Sequence, residues 1–186
     1  MGYATALAMA KEKLKTFDIE KACEAMGAVM QNGEILIPWF GENRPVNSGS
    51  ETEQVLWLHY LISGVHTPLT GKWIAFRELP SAMFYEPKFM QRAEGPLIKR
   101  FGENPAQMEQ IGLGLGGKTA QYGDAAVILN LLPRVPVLYI IWGKDSELSP
   151  ECRVLFDSSA SRFLPTEDLA VLASLGAYKL IQIAVK

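Results

Sequence analysis

The chain has 186 residues, of which 48% are hydrophobic and 20% charged, and its formal net charge is −2 at pH 7. This length suits one domain with a substantial core, and the composition is typical of a globular protein rather than a disordered one. Because no basic excess or stripe is present, the sequence argues against nucleic-acid binding. The two cysteines, Cys23 and Cys152, provide neither a disulfide scaffold nor a C-x-x-C pair for zinc or an iron–sulfur cluster.

The first residues are expected to form an amphipathic helix rather than a signal peptide, because no basic segment precedes the apolar run that ends at Ala10. The longest strongly apolar runs, of about ten residues, are too short to span a bilayer. We therefore expect a single cytoplasmic domain over residues 1–186, without membrane contact. The oligomeric state stays open.

The first half of the chain is predicted to begin with a helix over Tyr3–Lys15 and a second helix over Ile19–Met26. Asp18 is the expected N-cap of the second helix, and Gly27 its C-terminal stop. Asn32-Gly33 then predicts a hairpin with a type I′ turn. The chain after this hairpin is expected to return as a third strand, which gives a small meander.

Ser50 and Glu53 form the pattern of a capping box, which predicts the start of a helix that ends near Gly64. This helix is apolar on nearly all sides, so we expect it to be buried at the centre of the fold. After it, the sequence indicates a strand or extended segment from Lys72 and a helix over Tyr85–Phe101 that Gly95-Pro96 breaks or kinks.

Asn104-Pro105 predicts a further helix, which runs to about Leu113 and leads into a glycine-rich connector. Three strands are predicted behind this connector, over residues 124–132, 135–143 and 152–159. Their short connections favour antiparallel pairing. Thr166 is the expected N-cap of an amphipathic C-terminal helix with Leu169, Leu172, Leu175, Tyr178 and Leu180 on its apolar face. The predicted fold class is therefore α+β, with a three-strand antiparallel sheet packed by the last helix.

The glycine-rich segment Gly112–Thr119 matches the spacing of a phosphate-binding loop that ends in Gly-Lys-Thr. Its context differs, because a helix precedes it and a strand follows, whereas such a loop joins a strand to a helix. We favour a loop that is flexible or covers a ligand, with Gly116 and Gly117 as candidate binding residues.

His59 lies in the middle of the predicted central helix, so it is expected to be buried or in the wall of a pocket. Three roles stay open: a core histidine with one hydrogen bond, an axial ligand of a metal or tetrapyrrole, or an acid–base group. His66 is expected to face solvent.

Aromatic residues are concentrated between residues 57 and 89, and basic residues interrupt them. They either form part of the core or line a cavity for a flat, partly anionic ligand. The aromatic residues are Trp57, Tyr60, Trp73, Phe76, Phe84, Tyr85 and Phe89; the basic ones are Lys72, Arg77 and Arg92.

Acidic residues offer two weaker alternatives. Asp145, Glu147 and Glu151 could hold Ca²⁺ but lack the ligand spacing of an EF-hand, which favours a solvated turn. Asp157 ends a strand, where its carboxylate is expected to accept hydrogen bonds from nearby backbone N–H groups. An enzyme that uses Asp145 and Asp157 ranks last, because no catalytic constellation is visible.

An ordered series of short segments resembles the DUF3786 family of bacterial and archaeal proteins, which are common in anaerobes. The resemblance implies no activity, since the family is one of unknown function, but it points to a cofactor-handling role. Some relatives carry an added iron–sulfur domain; this sequence has no cysteine cluster, so electron transfer would need a partner. The segments are Leu58–Leu61, Leu69–Pro80, Gly116-Gly117, Gly123-Asp124, Leu132–Pro136, Trp142–Asp145, Val154–Asp157 and Leu164–Leu169.

Two hypotheses for function follow. The first is a binding module that holds haem, a corrinoid or another flat or metal-bearing cofactor in an aromatic pocket, with His59 and Arg77 as polar anchors. Tyr60, Trp73 and Phe76 would line this pocket, and His59 would be the candidate axial ligand. The second is an interaction or assembly module for an anaerobic redox or methyl-transfer enzyme, with an iron–sulfur or corrinoid protein as partner.

Overall fold

Two antiparallel sheets organise the computed structural model, which describes residues 2–64 and 66–185. The first is a meander of β1 (Val29–Gln31), β2 (Glu34–Trp39) and β3 (Glu42–Pro45). The second contains β4 (Trp73–Ala75), β5 (Lys118–Thr119), β6 (Ala125–Leu132), β7 (Val135–Trp142) and β8 (Glu151–Asp157), in the order β4-β8-β7-β6-β5. Together with the helices they form the mixed α+β fold that the sequence predicts.

The helices surround these sheets. They are α1 (Tyr3–Leu14), α2 (Ile19–Met26), α3 (Glu51–Ser63), α4 (Glu86–Phe89), α5 (Gly95–Phe101), α6 (Pro105–Gly114) and α7 (Thr166–Ala184). A π-helical turn, Met90–Glu94, joins α4 to α5, and 3₁₀ turns span Phe76–Glu78 and Ala160–Arg162.

Local sequence signals placed the ends of several elements correctly. Asp18 accepts a hydrogen bond from the Lys21 N–H, and Ser50 with Glu53 forms the predicted capping box. Asn32 and Gly33 have φ values of 51° and 78°, as the type I′ turn requires. These signals depend only on neighbours in the chain, which is why they could be recognised without tertiary information.

The predicted three-strand sheet is confirmed as the antiparallel set β6, β7 and β8, but the sheet also has two short edge strands. β4 pairs with β8, and β5 pairs with β6. β4 lies within the strand or extended segment predicted from Lys72, but its pairing with the other strands was not predicted. β5 was missed, because a strand of two residues is too short to show an alternating pattern.

Both faces of the larger sheet carry apolar side chains, and the main core lies on the face that the helices cover. Val127, Tyr139 and Phe156 point into this core and are fully buried. A smaller cluster of Ala126, Leu138 and Ile140 lies apart from it. The alternation along β6 and β7 follows from the two-residue period of a strand, which sends successive side chains to opposite faces.

Helix α3 is the buried central helix that its sequence predicts. On one side, Leu58 and Ile62 pack against Ala10 of α1. On the other, Trp57 and Tyr60 enter the main core and are 0% exposed. Contact on both sides explains why this helix lacks a polar face.

The helix predicted over Tyr85–Phe101 is neither interrupted nor ended at Gly95-Pro96. Helix continues from α4 through the π turn into α5, and the Gly95 N–H donates to the Met90 carbonyl, five residues earlier. Pro96 has no N–H to donate to Arg92. A π turn directly before the proline is one of the ways in which a helix can adjust to such a residue.

Thr166 does not act as the N-cap of α7, so that prediction was wrong. Pro165 occupies the N-cap position, and the Thr166 hydroxyl donates instead to the Pro80 carbonyl at 2.7 Å. Tyr178 was also misplaced, because it is 49% exposed, whereas Leu169, Leu172 and Leu180 are buried. The buried face of α7 is therefore narrower than predicted, because it does not include Tyr178.

Candidate functional site

A cleft of about 380 Å³ lies between α7 and the helix formed by α4, the π turn and α5. We call it the aromatic cleft. Phe76 and Phe89, which are almost completely buried, stack at its base with ring centroids 4.1 Å apart and planes 10° apart. Tyr85 and Tyr178 also line it and are about half exposed. The volume of this cleft lies within the range of small-molecule sites, roughly 300–1,000 Å³.

The aromatic cleft carries more positive than negative charge. Lys88 and Arg92 line it together with one acid, Glu167. None of these three makes an ion pair with another residue in the described parts of the chain. Because Lys88 and Arg92 are exposed and form no ion pair there, they can bind a carboxylate or phosphate group of a ligand.

Of the aromatic residues predicted to line a pocket, Phe76, Tyr85 and Phe89 meet in the aromatic cleft, whereas Trp57, Tyr60 and Trp73 lie elsewhere. Trp73 packs against the smaller cluster of the sheet. The predicted anchor Arg77 is exposed and is not among the lining residues. Of the basic residues in the predicted cluster, Arg92 lines the cleft.

The hydroxyl of Tyr60 forms hydrogen bonds within the fold, which explains why this residue is buried in the core. Its hydroxyl donates to the Met26 carbonyl at 2.8 Å and accepts from the Arg134 N–H at 3.0 Å. The Arg134 Nε donates to the Ala25 carbonyl at 2.6 Å. Tyr60 and Arg134 thus satisfy carbonyls at the end of α2, which would otherwise be without a partner. Burial raises the pKa of the Tyr60 phenol well above its usual range, which keeps the hydroxyl protonated as a donor.

His59 lies in a different depression, which we call the His59 groove. This groove of about 690 Å³ runs between α1, α3 and the segment Ser161–Pro165. The His59 Nδ1 lies 2.6 Å from Oδ2 of Asp168, in the first turn of α7. His59 is 34% and Asp168 16% exposed in their side chains, so the pair is neither in the core nor on the open surface. His66 is exposed, as expected.

Gly116 and Gly117 form the end of α6 rather than a phosphate-binding loop. The Gly117 N–H donates to the Gly112 carbonyl, and the Gly116 N–H donates to that of Leu113, which is the hydrogen-bond pattern of a Schellman C-cap. Gly116 has φ = 79°. A Cβ at Gly117 would lie 2.7 Å from the Gly112 carbonyl oxygen. Both glycines are therefore required by local backbone geometry.

Lys118 lies on the edge strand β5, where a phosphate-binding loop would begin its helix. Gly116 also lines a depression with Gly41 and Pro133, which shares no lining residue with the aromatic cleft. The sequence-predicted binding residues are thus distributed over separate parts of the surface and core.

The acidic residues take structural roles as well. Asp145 accepts hydrogen bonds from the Glu147 and Leu148 N–H groups, both at 2.7 Å, and these bonds lower the pKa of its exposed carboxyl. Within residues 2–64 and 66–185, no group of three histidine, cysteine or acidic side chains is arranged to hold a metal ion. Asp157 is buried and accepts bonds from Thr70, Gly71 and Ser159, as expected for a strand end.

Lys88, Glu167 and Tyr178 are among the lining residues of the aromatic cleft that sequence reasoning missed; the others are Tyr3, Thr166, Ala170, Val171, Ser174 and Leu175. A pattern in the sequence could have identified one of these residues, Lys88. Tyr85, Lys88, Phe89 and Arg92 follow the three- and four-residue spacing of one helix face. The corresponding stripe on α7 joins Glu167 to Tyr178 through Ala170, Val171 and Ser174. What the sequence could not indicate is that these two stripes face each other.

The family of the chain is shown by a match over most of its length. Residues 18–179 match the model of a family described as "Domain of unknown function (DUF3786)". The chain belongs to this family. No curated protein and no solved structure matches it. Among the described helices of this DUF3786 domain, none is long and apolar enough to cross a membrane.

Proposed function

We propose that the domain is a binding module whose aromatic cleft takes a flat, largely apolar small molecule with an acidic group. The observation that carries this proposal is the position of Arg92 and Lys88 beside aromatic side chains in one cleft, without ion-pair partners in the described chain. The rings would contact the apolar part of the ligand, and the cations would bind its acidic group.

The π turn supports the same proposal. It contains Arg92, which lines the cleft, and Glu94, which is 5% exposed and accepts a hydrogen bond from the Val154 N–H of β8 at 3.0 Å. Burial raises the pKa of the Glu94 carboxyl. Glu94 anchors the turn to the sheet, which would hold Arg92 in position. Such π turns are frequent at functional sites.

A haem or corrinoid with His59 as axial ligand does not fit the aromatic cleft. His59 lines the separate His59 groove, and the described residues that line the cleft include no histidine, cysteine or methionine. The proposal is therefore limited to a flat anionic ligand that needs no axial bond from His59.

The Arg92→Ala variant tests this proposal. Loss of a charge-assisted hydrogen bond of about 1.5–3 kcal/mol is expected to weaken binding of naphthalene-2-sulfonate roughly tenfold or more. Binding of neutral 2-naphthalenemethanol should change little. Chemical-shift titrations of both probes would measure the two affinities.

Arg77→Ala is the matched control, because Arg77 is exposed nearby but does not line the cleft. The proposal would be abandoned if Arg77→Ala and Arg92→Ala weakened sulfonate binding equally, or if the shifts mapped outside Phe76, Tyr85 and Tyr178.

An interaction module is the second candidate, favoured by an exposed apolar turn beside the aromatic cleft. Met83 and Phe84 are 68% and 85% exposed, and Ser81 has φ = 59°. Apolar side chains this exposed are typical of contact residues. If the turn binds an iron–sulfur or corrinoid protein, a Met83→Ser/Phe84→Ser variant should lose a partner that copurifies with the unaltered protein from its host. Retention of that partner by the variant would count against this turn as the contact.

A further inference from the structure

The His59–Asp168 pair has the geometry of an oriented imidazole. Asp168 binds Nδ1 at 2.6 Å, and Nε2 has no hydrogen-bond partner among the described residues. A carboxylate on one ring nitrogen fixes the orientation of the ring and its tautomer, and leaves the other nitrogen for a ligand. Because His59 lines the groove, its ring is accessible from solvent.

Two cations lie on the same groove. Lys13 reaches it from α1, and Arg162 reaches it from the 3₁₀ turn before α7. Neither forms an ion pair within residues 2–64 and 66–185. Apart from His59, the charged or titratable residues among the described lining residues are Lys13 and Arg162, and Asp168 contacts His59 from α7. Two cations thus oppose one carboxylate.

Hydroxyl and apolar groups complete the surface. Ser161 and Ser63 line the groove, although the Ser63 hydroxyl already donates to the Tyr60 carbonyl. Phe163 and Leu164 line it as well and are almost fully buried. The groove thus combines a positive, hydrogen-bonding region with an apolar surface.

We propose that the His59 groove binds the phosphate group of an organic phosphate, with Arg162, Lys13 and the Nε2 of protonated His59 as its ligands. The excess of positive charge suits a dianion better than a carboxylate, and arginine binds phosphate oxygens through paired N–H groups. The organic part of the ligand would pack on Met9, which is 58% exposed, and on the exposed Pro165. This site is distinct from the aromatic cleft and does not depend on the function proposed for it.

Titration with phenyl phosphate, inorganic phosphate and phenol tests the proposal on the whole chain. Phenyl phosphate is expected to bind most tightly and to shift the ring signals of His59, whereas phenol alone should not. Arg162→Ala should weaken binding roughly tenfold, because a charge-assisted bond contributes about 1.5–3 kcal/mol. Lys13→Ala should weaken it less. Lys11→Ala is the matched control on the same helix and should leave the affinity unchanged.

The role of His59 is tested with the His59→Gln variant and inorganic sulfate. Sulfate is expected to bind this variant several-fold more weakly than it binds the unaltered protein, because the Nε2 ligand is lost.

If the His59–Asp168 pair only links α3 to α7, the His59→Gln variant would lower stability without changing anion affinity. That outcome, or equal effects of Lys11→Ala and Arg162→Ala, would overturn the proposal. Arg162 is exposed, so its variant is expected to fold and keeps the test decisive even if His59→Gln is unstable.

Discussion

Replacing Asp157 by alanine is expected to destabilise the fold by about 3 kcal/mol or more, because a buried carboxylate that serves several donors is lost. Asp157 is 2% exposed. It accepts hydrogen bonds from the backbone N–H groups of Thr70, Gly71 and Ser159 at 3.1, 2.7 and 2.9 Å, and also from the Thr70 and Ser159 hydroxyls. Its removal leaves these backbone donors without a partner. Urea denaturation would measure the loss in the free energy of unfolding.

The substitution is expected to affect the aromatic cleft as well, because the hydrogen bonds of Asp157 hold the segment before β4 in position. The Ser158 N–H also donates to the Lys72 carbonyl at 2.8 Å, which continues the same attachment. Phe76, at the base of the cleft, directly follows β4. Asp157→Ala is therefore expected to weaken ligand binding in the cleft as well as to lower stability.

Asp145→Ala is the matched control. Asp145 also accepts two backbone N–H bonds, but it lies in an exposed turn where water can replace its carboxylate. Its removal should therefore destabilise the fold much less than the removal of Asp157. If the two variants lost the same free energy of unfolding, the hydrogen bonds of Asp157 would stabilise the fold no more than those of a local turn.

The contribution of Asp157 should also depend on pH. Burial by itself raises the pKa of this carboxyl, but hydrogen bonds from Ser159 and Thr70 outweigh burial and hold the pKa below its usual range. The folded state therefore binds the proton less readily than the unfolded chain. The stabilisation is present above the unfolded pKa of about 3.9 and is lost as pH falls through the lower folded value. Acidification should thus destabilise the unaltered protein more than Asp157→Asn.

Replacing Gly176 by alanine is expected to cost about 2–4 kcal/mol, although alanine is the better helix former. A Cβ at Gly176 would overlap the Tyr139 hydroxyl and lie 3.0 Å from both Leu131 methyl carbons. Tyr139 is fully buried, and its hydroxyl donates to the Ala173 carbonyl of α7 at 2.8 Å. The substitution would push α7 away from the sheet and break this bond. Thermal and urea denaturation would measure the change in stability.

Two controls separate this close contact from helix propensity. Gly114→Ala, at the end of α6, meets no atom within 4 Å and should be neutral or slightly stabilising. In the Tyr139→Phe background, where the overlapping hydroxyl is absent, Gly176→Ala should cost at least 1 kcal/mol less than in the unaltered protein. A loss of the same size in both backgrounds would mean that Tyr139 does not cause the effect.

Helix ends, the hairpin and the main strands were predictable because each depends on a few neighbouring residues. Ser50 and Glu53 cap α3 in the predicted way, and Asn32-Gly33 makes the predicted turn. β4 lies in the segment from Lys72 that the sequence indicates as a strand or extended segment, but its pairing with β8 was not predictable, and neither was β5. β5 has only Lys118 and Thr119, both exposed, and it is a strand only because β6 offers it hydrogen bonds.

The site was less predictable than the fold. Aromatic density drew attention to Phe76, Tyr85 and Phe89, and these residues do share a cleft. The same density also included Trp57 and Tyr60, which lie in the core. Composition within a segment cannot distinguish the two groups, because the partner that covers each side chain comes from a distant part of the chain.

By itself, the sequence determined the fold class, the central helix and the strands of the larger sheet, because periodicity and capping are local properties. Only the tertiary structure decided which residues share a site. It brings Asp168 to His59 across 109 positions and places the α7 stripe that ends at Tyr178 opposite Arg92. It also separates His59 from the aromatic cleft. The packing of α7 against α5, α6, the sheet and the π turn decides all of these, and it depends on close contacts such as that of Gly176 with Tyr139.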